Sequence, residues 1–110
     1  MQSTRDCLER LSALLVRADE DYLASVVAKA LDGSDEEFEE FLLSNALWGG
    51  AGSVADQAGI SRDRDVRVLT KDIERTLIEL GRMQIEAGRT NVRTAMWVDA
   101  FEHWHNTGVR

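Results

Sequence analysis

Apolar side chains recur along this chain at intervals of three and four residues, the pitch of an amphipathic helix, and nowhere in the strict alternation of a half-buried strand. The first run is Leu8, Leu11, Leu15, Ala18, Tyr22 and Val26. It is opened by Ser3 with Asp6 three residues on, a capping box in outline. That run predicts one continuous helix over 3–31; Asp19, Glu20 and Asp21 interrupt its texture but not its period, a break at those acids being the alternative. Asp32-Gly33 ends it, and Ser34 followed by Glu37 starts a second helix over 34–46 whose buried edge is Phe38, Phe41 and Leu42. A short piece over 54–58 is stopped by Gly59. The clearest run is Val66, Leu69, Ile73, Leu77, Leu80, Met83 and Ala87, capped by Ser61 or Asp63 and closed at Gly88, which predicts a helix over 62–87. Ile78 and Ile85 point nearly opposite to that stripe at about 100° per residue, so this helix is either central in a bundle or a dimer contact. Thr90 or Asn91 caps a last helix over 90–106, with Trp97, Ala100, Phe101 and Trp104 along one side as core. The expected fold is all-α: one domain over 1–110, a compact bundle of four main helices and one short one. A two-fold dimer through the third main helix is a further expectation.

Composition supports that pattern and narrows the function. The chain has 110 residues, no proline, 30% charged and 44% hydrophobic side chains, a mix suited to helices packed through amphipathic faces. A single cysteine, Cys7, excludes an internal disulfide framework and reads as a small core residue. No apolar run approaches the roughly 20 residues that span a bilayer, and the first residues are too charged for a signal-peptide core, so no membrane partner and a cytoplasmic location are expected. The net charge is −7, and it is lopsided. Residues 1–48 carry four basic and eleven acidic side chains, while residues 49–110 carry nine of each. An acidic half of this kind favours basic partners and disfavours non-specific adhesion to nucleic acid.

Three stretches invite chemistry. Leu47-Trp48-Gly49-Gly50-Ala51-Gly52-Ser53 places three glycines in four residues, which marks either a tight corner or a binding edge. Ser53 with Asp56 starts a helix whose exposed amides would cradle an anion beside Trp48, Gly49, Gly50 and Gly52, with Asp56 and Gln57 as polar contacts. No lysine follows the glycines, as a phosphate-binding loop requires. The passage from Val54 to Leu69, with its Ala-Gly-Ile-Ser turn and Arg-Val-Leu ending, resembles the helix-turn-helix of bacterial repressors. The resemblance implies a DNA-binding regulator with Arg62, Arg64 and Arg67 facing groove and phosphates. Glu102-His103-Trp104-His105 offers metal-binding residue types, but residues two apart on a helix diverge by about 200°, so the two imidazoles do not close on one ion and no metal is expected. Asp99, one turn before His103, is placed to hydrogen-bond it.

No serine has His and Asp partners at motif spacing, and Cys7 has no evident base, so no catalytic residue, cofactor or enzymatic activity is expected. The leading expectation is a non-enzymatic protein-interaction module, resembling an immunity or inhibitor protein in binding a basic partner. Its face is Asp35, Glu36, Glu39 and Glu40, which also suit the helix dipole as a solvated surface. The alternatives are the DNA-binding regulator of 54–69 and an anion or small-ligand binder at the 48–57 loop.

Overall fold

The structure, a computed structural model, describes residues 3–49, 53–57 and 64–107, with the backbone alone described for 64–70, 105 and 107. The described residues form six helices and no strand: α1 (Thr4–Arg17), α2 (Asp21–Asp32), α3 (Asp35–Leu42), α4 (Val54–Gln57), α5 (Arg64–Glu86) and α6 (Thr94–Thr107). The all-α bundle is as expected, with one correction. The first predicted helix is two.

The α1 start follows its sequence signature. The Ser3 hydroxyl accepts from the Asp6 amide at 3.2 Å and the Asp6 carboxylate accepts from the Ser3 amide at 3.1 Å. Cys7, Leu8, Leu11, Leu14 and Leu15 then turn inward. After Arg17 the chain reverses: Asp19 takes the left-handed conformation (φ 60°), its amide donates to Val16 and the Glu20 amide donates to Leu15 at 2.9 Å. This is a Schellman ending, made with aspartate where glycine is usual. The break shifts the phase of everything after it. Leu23, Ala24, Val27 and Ala30 become the buried face of α2, while Tyr22 stands 73% exposed and Val26 is only half-buried.

Ser34 caps α3 as its sequence predicts, its hydroxyl accepting from the Glu37 amide at 3.2 Å. The Glu37 carboxylate, however, accepts the Ser34 hydroxyl at 3.2 Å instead of the Ser34 amide. The helix ends at Leu42, four residues short of expectation, and a turn carries the chain to Trp48. Phe38 and Leu42 are buried, and the Arg5 guanidinium lies 4.5 Å above the Phe38 ring, tying α3 to α1.

The long helix α5 packs along α1 on one side and α6 on the other, the central position that its broad apolar surface requires. Ile73, Leu77 and Leu80 are buried as the stripe predicts. Ile78 is also buried within the chain at 9% exposure, which leaves Ile85, 44% exposed, as the outward member of the expected dimer pair. At Gly81 a side chain would run into Val98, so α6 crosses where α5 has none. The α5 end is a second Schellman motif: Gly88 at φ 70°, its amide donating to Ile85, and the Arg89 amide donating to Gln84 at 2.9 Å. Asn91 and Thr94 then cap α6 reciprocally, amide to side chain, at 3.1 and 3.2 Å. Trp97 stacks on Phe101, whose ring meets Trp104 edge-on, and the aromatics thus join the core as expected.

Candidate functional site

The two flanks of the glycine loop are held by their own chain. Trp48 is fully buried and donates its indole N–H to the Oε1 of Gln84 at 2.9 Å. The Asn91 amide donates to the carbonyls of Leu43, Ser44 and Trp48, and the Trp97 indole donates to the Gly49 carbonyl at 2.9 Å. Gly49 lies so close to the Asn45 carbonyl that a side chain there would collide with backbone. On the far side, Ser53 is buried and caps α4 through the Asp56 amide. Among the described residues, three amides at the start of α4 are already used: Val54 donates to Ala46, Ala55 to Leu47 and Gln57 to Ser53. Gln57 also donates to the Asp56 carboxylate at 3.1 Å. This is the geometry of a clamped corner; Gly50 and Gly52 lie outside the described residues.

The acidic run is arranged differently. Asp35, Glu36, Glu37 and Glu40 are exposed on α3. Two of the acids reach back to the rest of the chain. Glu39 accepts from Arg89 at 2.7 Å, and Asp35 lies 3.7 Å from Arg5, both pairs at the solvent-exposed surface. Ion pairs so placed contribute little to stability. Glu36 and Glu40 form no ion pair with any described residue. The four acids singled out by sequence thus share one short helix but divide into two kinds, paired and outward.

Beside them the structure opens a furrow that the sequence does not announce. Val26 and Ala30 of α2 face Phe41 and Ala46 across a hollow of about 440 Å³, rimmed by Glu37 and Glu40. A second hollow of about 440 Å³ shares Val26 and Ala46 and runs on to Tyr22 and Val54. Sequence periodicity assigns Tyr22 and Val26 to the core stripe. The left-handed turn at Asp19 rotates them out of it, and the early end of α3 leaves Ala46 in an open turn opposite. The available signal was the competing stripe Leu23, Val27 and Ala30, which fits a helix restarting at Asp21.

The remaining candidates lie elsewhere on the chain. The turn of the repressor-like segment and Arg62 lie outside the described residues, while Arg64 and Arg67 fall in the first two turns of α5 with their side chains undescribed. His103 and Asp99 are exposed on α6. Among the described residues no three of His, Cys, Asp and Glu converge as a metal site, and no helix is long and apolar enough to cross a membrane. Cys7 is fully buried, and burial, reinforced by the charge of Glu79, pushes its thiol above the ordinary value near 9.0, the opposite of what a nucleophile needs. Comparison with protein-family models, with curated proteins and with solved structures finds no match to this chain.

Proposed function

We propose that the chain is a non-enzymatic protein-interaction module that binds a basic partner through the acidic surface of its first half, as an immunity or inhibitor protein does. The observation that carries this reading is the fate of the carboxylates between residues 19 and 40. Nine acids lie there, with Lys29 as the one cation of that span. Arginines from elsewhere reach two of them, and Asp21, Asp32, Glu36 and Glu40 face outward with no ion pair to a described residue. Like charges held this close on rigid helices repel one another, and a cationic surface docking on them relieves that repulsion while steering its own approach. The buried, proton-retaining Cys7 thiol supports the non-enzymatic part, since the only thiol of the chain is withdrawn from solvent.

Calorimetric titration with oligolysine tests the charge reading directly. Binding is expected to weaken steeply between about 0.1 M and about 1 M salt, over which the screening length falls from about 10 to about 3 Å. Glu36→Lys with Glu40→Lys is expected to abolish it. Binding that ignores salt, or that survives the charge reversal, overturns the reading.

A further inference from the structure

We propose that the furrow between α2 and the turn after α3 seats an amphipathic helix of the basic partner, its apolar side chains on the furrow floor and its lysines or arginines against the rim. The proposal rests on the acidic-surface reading above and names the part of the partner that reading leaves open.

The furrow has the dimensions and chemistry for that occupant. Tyr22, Val26 and Lys29 fall at i, i+4 and i+7 and so form one row along α2, two helical turns or about 10 Å long. Phe41 and Ala46 make the opposite wall, and the two adjoining hollows share Val26 and Ala46 as a common floor. A cleft floored along one helix accepts the apolar ridge of another, with anchors spaced as the row is spaced. Tyr22 stands 73% exposed at one mouth, an aromatic of the kind that anchors interfaces. Charge decides which helix fits. Glu37 and Glu40 stand on one rim, Asp19, Glu20 and Asp21 precede Tyr22 at the other end, and Lys29 is the one cation alongside. An acidic or neutral amphipathic helix would set like charges together or leave those carboxylates desolvated and unpaired, whereas Lys or Arg flanking the apolar face pairs with them. With no strand among the described residues there is no sheet edge for an extended peptide to join.

The test uses the full chain and a fluorescein-labelled helical peptide of about four turns, leucine on one face and lysine on the other, followed by fluorescence anisotropy. Ala46→Trp fills the furrow without changing charge and is expected to weaken binding by about tenfold or more, and Tyr22→Ala by about fivefold. Glu40→Gln is expected to weaken it by about threefold, and Asp99→Asn, the same loss of charge on α6, to leave it unchanged. Circular dichroism and thermal unfolding confirm that each variant is folded, and because Tyr22 and Ala46 are both exposed, the pair keeps the test alive if one of them is not. If Ala46→Trp and Tyr22→Ala are silent while Glu36→Gln and Glu40→Gln weaken binding alike, the furrow is overturned and the acidic surface stands. If the peptide does not bind at low salt, both fall. If sedimentation shows a dimer that Ala46→Trp dissolves, the occupant is a second copy of this chain and the proposal is overturned.

Discussion

Two corners of this molecule end a helix in the same way and are held by different means. After α1 the chain reverses through Asp19 and after α5 through Gly88, each in the left-handed region and each with the paired backbone bonds of a Schellman motif. At Gly88 the corner is also braced from inside. Gln84, the residue whose carbonyl receives the closing bond, sends its side chain inward, donating to the carbonyls of Leu42 and Arg89 and accepting the Trp48 indole proton. Asp19 has no comparable brace; its exposed side chain merely tolerates a conformation that glycine adopts freely. The braced corner sits over the buried Trp48, and the unbraced one sits beside the open furrow. The corner over Trp48 thus carries side-chain hydrogen bonds that the corner beside the furrow lacks among the described residues.

The comparison breaks most readily at Gln84. Replacing it with leucine strands the buried Leu42 carbonyl and Trp48 indole N–H and the part-buried Arg89 carbonyl, and a loss of about 3 kcal/mol is expected as a lower midpoint in urea at unchanged slope. A loss below about 1 kcal/mol would show that the α5 corner stands on its backbone alone and that the two corners are alike. Next comes Gly88→Ala. Nothing lies within 4 Å of the position a Cβ would take, so the expected loss of about 1 kcal/mol is backbone strain, partly offset by a stiffer unfolded chain. Asp19→Gly is expected to act in the other direction, raising stability by about 0.5 kcal/mol, because relieved strain slightly exceeds the added freedom of the unfolded state. Destabilisation by Asp19→Gly would mean that the aspartate side chain contributes something glycine cannot.

The smallest effect is alkaline. The interior beneath α1 holds the Cys7 thiol, whereas the brace at the other corner is made of amides that do not titrate. Burial first, and the Glu79 charge second, raise the Cys7 pKa above its ordinary value near 9.0. The folded thiol therefore keeps its proton where the unfolded one loses it. Its contribution is complete below pH 9.0 and declines as pH rises from there through the raised folded value. Stability measured against pH is expected to fall on that side, and Cys7→Ala to remove this slope. An unchanged slope in the variant would place the alkaline loss elsewhere.

Much of the fold was legible because its signals are local. Ser3 and Ser34 as caps, Gly88 as a stop and the Ile73, Leu77 and Leu80 stripe each act within one or two helical turns, so neighbours in sequence are the neighbours that matter. The corner at Asp19 was legible only as the second choice, a break at the acids, since aspartate reports a left-handed residue weakly and the apolar period runs through it unbroken. The same omission hid the furrow, because Tyr22 and Val26 look like core until the phase slips. Trp48 was legible as a corner residue, but its partners Gln84 and Asn91 lie 36 and 43 positions away, and Trp97, which holds the Gly49 carbonyl, lies 48 positions from it, beyond any local pattern.

What the sequence determined by itself is the class of structure and the uneven distribution of charge. Helical periodicity, absent proline and an acid excess confined to residues 1–48 require no knowledge of which helix meets which. Only the tertiary structure decided which face of α2 turns outward, that Trp48 and Gly49 are held by Gln84, Asn91 and Trp97, and that the acids stand beside an apolar furrow. The first and last of these depend on where one left-handed residue sends the chain, and the packing of Leu23 and Val27 that follows it offsets the cost of Asp19 in that state.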